Sequence, residues 1–299
     1  MKTHPILRTA ALAVFFPSAL LATYSSDNAD LKFAAPANPA LPSLFLVGDS
    51  TSGRAMLLNL PALENRRQNP TIGWGFPLTD YFDLDKINVV LRSDASMSTR
   101  TYLTKGRWAN VLPEIKAGDI VMLQFGQFER APVDDPHNVV GGPLPGLGEE
   151  TQLVGAMPQE TVHTYGWYMR KYIADIRSKG AVPIVLSPSV RNVWKEGRVD
   201  RGPKGVRNWA AEVARSQHTA FVDVTNIEAD RYQSLGQATV KTFFYNEAVH
   251  TNLDGARVNA ALVVSGLKAL SNPPLAKYLS PKGQHLPPAS PAYAIAVEP

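Results

Sequence analysis

Five short apolar runs rich in β-branched residues, separated by stretches of helical length, constrain this chain more than any other feature of its sequence. They are Leu44-Phe45-Leu46-Val47, Ile87-Asn88-Val89-Val90-Leu91, Ile120 to Phe125, Val182 to Leu186 and Ala220 to Val224. Their hydrophobicity is continuous rather than alternating, which a strand needs only when helices cover both faces of its sheet. Amphipathic stretches at Glu160 to Ser178, Val206 to Arg215 and Leu253 to Ala269 supply such helices. With right-handed crossovers, the pattern predicts an α/β fold: a three-layer α/β/α sandwich around a five-stranded parallel sheet, spanning residues 41–270. Seven prolines between Asn272 and Pro299 argue against regular structure there, so residues 271–299 are expected to form an extended strap or a disordered end.

Residues 1–25 have the order of a secretory signal. Lys2 and Arg8 precede the apolar run Thr9 to Ala22, which is too short for a stop-transfer helix. The expected product is a secreted or periplasmic protein without a membrane anchor. Lys and Arg number 30 against 26 acidic residues, a formal charge of +4, and loss of Lys2 and Arg8 would halve it. So small a surplus, without a basic run, gives no support to a nucleic-acid partner. The chain has no cysteine, which removes disulfides, thiolate metal sites and thiol nucleophiles. Catalysis in such a chain must use hydroxyls, carboxylates, imidazoles or hard metals.

The first strand runs into Gly48-Asp49-Ser50-Thr51-Ser52-Gly53. A serine at a strand-to-helix turn stands at the carboxyl edge of the sheet, where a nucleophile belongs, although Ser50 and Thr51 could equally cap a helix. Of His137, His163, His218 and His250, all but His218 have a carboxylate three residues earlier, and His250, in Glu247-Ala248-Val249-His250, is the one immediately before the last expected helix. That spacing lets a carboxylate orient an imidazole. It equally fits a surface capping pair at a helix start, and it fits two metal ligands, although no clear third ligand accompanies them. The Gly- and Pro-rich segment Ala131 to Gln152 reads as a long loop beside the middle strand.

Gly-Asp-Ser after the first strand, with Glu-x-x-His near the C-terminus, resembles the SGNH (GDSL) hydrolase superfamily, whose sheet is flavodoxin-like. More narrowly, the chain resembles the rhamnogalacturonan acetylesterase branch. The stretches that carry this are Val47 to Thr51, Gly73-Trp74-Gly75, Ser98 to Tyr102, Leu123 to Gly126, Leu144 to Thr151, His163 to Ala174, Ser187 to Trp194 and His250 to Ala256. The resemblance implies Ser50 as nucleophile, His250 as general base and Glu247 as orienting carboxylate, where the family usually has Asp. It also implies an oxyanion hole of the Ser50 N–H, a backbone N–H at Ser96, where the family has Gly, and an Asn side chain. Phe128 stands at the Asn position and donates nothing, which leaves Gln127 as the candidate third donor. Trp74, Trp167 and Trp194 are candidate sugar-stacking rings, with core packing the alternative. Arg100, Arg191 and Lys195 are candidate partners for uronate carboxylates, with solvated surface cations the alternative. The implied partner is an acetylated plant cell-wall polysaccharide, and the chemistry requires neither metal nor organic cofactor. Two other readings stay open: a non-catalytic carbohydrate-binding relative, and an esterase for acetylated xylan or other acetyl esters.

Overall fold

The computed structural model describes residues 38–53, 71–134, 140–156, 158–202, 204–245 and 248–295. The expected signal segment, the start of a helix after Gly53, His137 and Glu247 all lie outside the described residues.

The five expected strands form as β1 (Ser43–Gly48), β2 (Asn88–Leu91), β3 (Ile120–Gln124), β6 (Val182–Leu186) and β9 (Ala220–Val222). They pair in parallel in the order β2-β1-β3-β6-β9. Their alternate side chains enter different cores, which explains the unbroken apolar runs. Phe45, Val47, Val121, Leu123 and Val185 pack with Tyr168, Tyr172 and Ile176 of α3 (Tyr165–Ser178) and with Ala210 and Val213 of α4 (Lys204–Ser216). Leu44, Leu46, Met122, Ile184 and Val222 face the other way. They meet Trp74, Ile227 of α5 (Val224–Leu235) and Ala260, Val263 and Leu267 of α7 (Leu253–Lys268). On the first side lie also α1 (Thr99–Thr104) and α2 (Arg107–Val111), and α6 (Gln237–Lys241) follows α5.

Three departures from the expected elements have local causes. The helix expected from Glu160 starts at Tyr165, because Thr164 is its N-cap and accepts a hydrogen bond from the Trp167 N–H at 3.1 Å. Residues Glu160–His163 instead form β5, pairing antiparallel with β4 (Thr151–Val154). Val224 opens α5 rather than ending β9, since Asp223 caps that helix through the Asn226 N–H. A two-residue ribbon, β7 (Trp194–Lys195) with β8 (Arg198–Val199), interrupts the loop after β6.

The sheet has six strands rather than five. The Pro-rich tail adds β10 (Ala294–Ile295) antiparallel to β9, after the short helix α8 (Pro281–His285). Its apolar side chains decide this: Leu275 and Leu279 are buried against the same core as α7. Lys268 Nζ donates to the carbonyls of Gly283 at 3.1 Å and Gln284 at 2.6 Å, and Tyr293 Oη donates to Asp230 Oδ2 at 2.6 Å. The tail is a strap packed on the domain. No helix among the described residues is long and apolar enough to cross a membrane.

Candidate active site

The turn after β1 is built around the Asp49 carboxylate, which is buried and accepts four hydrogen bonds. Its Oδ1 takes the Thr51 N–H at 2.9 Å and the Thr51 hydroxyl at 2.7 Å. Its Oδ2 takes the N–H groups of Gly126 and Gln127, both at 3.1 Å, just beyond the end of β3. Burial raises the Asp49 pKa and these donors oppose the shift, so one side chain fixes two loops at the carboxyl edge of the sheet.

Gly73-Trp74-Gly75 closes over the turn from the opposite side. Its N–H groups donate to the carbonyls of Gly53 at 2.8 Å, Thr51 at 3.2 Å and Ser52 at 2.9 Å. A Cβ on Gly73 would lie 2.1 Å from the Gly53 carbonyl oxygen, so only glycine permits this approach. The same segment reaches the C-terminal motif: the Ile72 N–H donates to Thr251 O at 2.8 Å and the Thr251 hydroxyl donates to Ile72 O at 2.7 Å. Asn252 then caps α7 through the Gly255 N–H at 3.0 Å.

This frame sets Ser50 Oγ 2.9 Å from His250 Nε2, across 200 residues of sequence. Ser50 is buried and His250 half-buried. At this distance an imidazole can accept the proton of a hydroxyl, which is the geometry that nucleophilic catalysis by serine requires. Among the described residues, no hydrogen bond uses the N–H of Ser50 or of Ser96. Ser96 has φ of +57°, a left-handed conformation that suits the glycine of the family pattern and is strained for serine.

Similar proteins are known. A rhamnogalacturonan acetylesterase of Emericella nidulans is 28% identical over 233 residues, which cover 75% of this chain and 86% of that protein. A probable rhamnogalacturonan acetylesterase of Bacillus subtilis is 24% identical over 206 residues, 67% of this chain and 85% of that protein. The crystal structure of YxiM from Bacillus subtilis superposes with a TM-score of 0.59 at 22% identity, covering 76% of this chain and 56% of that longer one. The chain is thus similar in sequence to rhamnogalacturonan acetylesterases and shares its fold with YxiM. Both sequence relatives are named as acetylesterases, enzymes that cleave ester bonds. No family model matches the chain.

Two of the expected substrate contacts are corrected by burial. Trp74 has no exposed surface, and its Nε1 donates to Gln124 Oε1 at 2.9 Å, so it offers no face to a sugar. Arg100 is buried, paired with Glu160 at 2.7 Å, and bonded to the carbonyls of Val133 and Gly142. It fastens the loop after β3 to β5. Trp167 stacks on the His163 ring at 3.8 Å between centroids. Lys195 pairs with Asp200 at 2.7 Å. Trp194 stays partly exposed, with its Nε1 donating to Asn192 Oδ1 at 2.9 Å.

The Gln127 side chain is held at both ends: Nε2 donates to Ser189 O at 3.1 Å and Oε1 accepts from Arg191 Nε at 2.8 Å. One N–H of that amide is therefore committed to the loop after β6. That loop rests on Glu228, a buried carboxyl that accepts the Val190 N–H at 2.8 Å and the Ser189 hydroxyl at 3.2 Å. Burial pushes the Glu228 carboxyl up to about 8. Nothing in the sequence around Glu228 marks it, because an acidic residue within a helix is ordinarily solvated. Glu129 is similar: it caps α1 through the Thr99 N–H at 2.8 Å and hydroxyl at 2.7 Å, and burial raises it to about 8.

Proposed function

We propose that this enzyme is an exported carbohydrate acetylesterase that removes O-acetyl groups from pectic rhamnogalacturonan through an acetyl-serine intermediate. The observation that carries the reading is the 2.9 Å approach of Ser50 Oγ to His250 Nε2 at the carboxyl edge of the sheet. The named activities of the two acetylesterase relatives supply the substrate class.

Ser50 Oγ attacks the acetyl carbonyl carbon while His250 Nε2 takes the hydroxyl proton. The tetrahedral oxyanion is met by the N–H groups of Ser50 and Ser96, with the second N–H of the Gln127 amide as the third donor. Collapse expels the sugar alkoxide, which takes the proton from His250. Water, deprotonated by the same imidazole, then cleaves the acetyl-enzyme and releases acetate. Glu247 orients the imidazole in this scheme, an assignment that rests on its spacing from His250. Export rests on the sequence pattern of residues 1–25.

Acetate release from acetylated rhamnogalacturonan by the wild-type protein, beside Ser50→Ala and His250→Ala, tests the reading. Loss of at least about 10⁴-fold in kcat for either variant is expected. Activity indifferent to Ser50→Ala would remove the assignment, and equal rates on acetylated xylan would remove the preference for pectin. One observation favours the non-catalytic alternative: Phe128 provides no donor where the family pattern places Asn. An inert wild type that gains hydrolysis as Phe128→Asn would establish it.

A further inference from the structure

We propose that Arg191 binds a carboxylate of the acetylated substrate beside the Ser50–His250 pair, and so makes this enzyme selective for acidic over neutral polysaccharide. The inference deepens the esterase reading of that pair and rests on it.

Arg191 lies in the loop after β6 and is fastened to both halves of the site. Its Nε donates to Gln127 Oε1 at 2.8 Å, and the Gln127 N–H donates to Asp49, the residue before Ser50, at 3.1 Å. The next residue, Asn192, donates its N–H at 2.8 Å to the carbonyl of Ala248, two residues before His250. The backbones leading to the nucleophile and to the base thus converge on this arginine.

Its charge has no protein partner among the described residues. Arg92, Arg100, Arg107, Arg201 and Arg207 each hold a carboxylate, as does neighbouring Lys195. Arg191 is exposed and spends only Nε, on a neutral amide oxygen. The Nη1 and Nη2 edge of the guanidinium keeps its donors. That edge matches the two oxygens of a carboxylate in a bidentate pair, the arrangement in which arginine binds most strongly. Its stem is already immobilised, because Gln127 is itself held by Ser189 and Asp49. Less side-chain entropy is lost on binding than for a free surface arginine. The sugar class that carries such a carboxylate is a uronic acid within the chain that bears the acetyl group.

Calorimetric binding of a de-acetylated rhamnogalacturonan oligosaccharide, with its carboxylates free or methyl-esterified, tests this at low ionic strength on wild type, Arg191→Gln and Arg191→Lys. Wild type should bind the free acid about tenfold more tightly than the methyl ester, the scale of one exposed charge-assisted pair. Arg191→Gln should bring the two forms within about twofold, and Arg191→Lys should keep part of the difference as a point charge without the fork. Equal binding of both forms by wild type, or an undiminished preference in Arg191→Gln, would overturn the assignment. The comparison of the two ligands on wild type alone is independent of how any variant folds. Because binding is read without turnover, failure of the carboxylate site is distinguishable from failure of the esterase reading, which Ser50-dependent acetate release reports separately.

Discussion

Thr251 and Ile72 are joined twice, with the Ile72 N–H donating to the Thr251 carbonyl at 2.8 Å and the Thr251 hydroxyl donating back to the Ile72 carbonyl at 2.7 Å. Thr251 follows His250, and Ile72 precedes the Gly73-Trp74-Gly75 segment that lies on the Ser50 turn. This pair ties the backbone beside the imidazole to the segment that lies on the serine turn.

Thr251→Val keeps the shape of the side chain but leaves the buried Ile72 carbonyl without the hydroxyl. We expect a stability loss of about 1–3 kcal/mol and a fall in kcat larger than the change in KM, because the loss is in positioning. Thr251→Ser restores the hydroxyl and should recover most of both. Denaturant melts and steady-state kinetics on a small acetyl ester check this, and an unchanged kcat in the valine variant would contradict it.

Asp49 tests the other side of the frame. Asp49→Asn replaces one acceptor oxygen by an NH₂ donor, which then faces either the N–H and hydroxyl of Thr51 or the N–H groups of Gly126 and Gln127. The expected cost is about 2–4 kcal/mol of stability, with activity lost beyond what the unfolded fraction explains. Activity measured well below the melting transition separates the two effects.

Ser96→Gly should improve the protein. At φ of +57° a serine carries a Cβ in a conformation that favours glycine, a strain of about 1 kcal/mol. Relief of that strain is offset in part by the greater freedom of glycine in the unfolded chain. The net expectation is a melting temperature equal to or above wild type, with kcat unchanged or raised because the backbone N–H is retained. A clear loss in both would show that the Ser96 side chain contributes to the site.

Glu228 gives the enzyme a pH-dependent stability. Its folded pKa, about 8, stands above the ordinary carboxyl value of 4.5, so the folded protein holds this proton more tightly than the unfolded chain. The resulting stabilisation is complete below the ordinary carboxyl range and is lost as pH rises through about 8. Glu228→Gln mimics the protonated acid, with its amide able to serve both Val190 and Ser189. Between pH 5 and pH 8.5 the melting temperature of wild type should fall by several degrees more than that of the variant, about 2–4 °C for each kcal/mol. Parallel pH profiles would contradict this role, and Glu129, raised by the same cause, is common to both proteins and cancels in the comparison.

The candidate pair was legible because its signals are local. Gly-Asp-Ser at a strand end and a histidine before a capped helix are patterns of a few residues, and both stand where expected. Trp74 and Arg100 were misleading for one shared reason. An aromatic ring or a guanidinium has the same letter whether it faces a ligand or is buried with partners, and only packing tells which. Trp74 is sealed beneath the turn it supports, and Arg100 is consumed by Glu160 and two carbonyls.

By itself, the sequence determined the layers, the parallel strands and the two short motifs, because continuous apolar runs demand a sheet covered on both faces and capping residues act within one turn. The tertiary structure decided what depends on distant partners: the sixth strand from a proline-rich tail, the elevated Glu228, the Asp49 bracket and the exposed Arg191 on Gln127. Those features arise from burial and from hydrogen bonds between residues 38 to 78 apart, which leave no periodic trace along the chain.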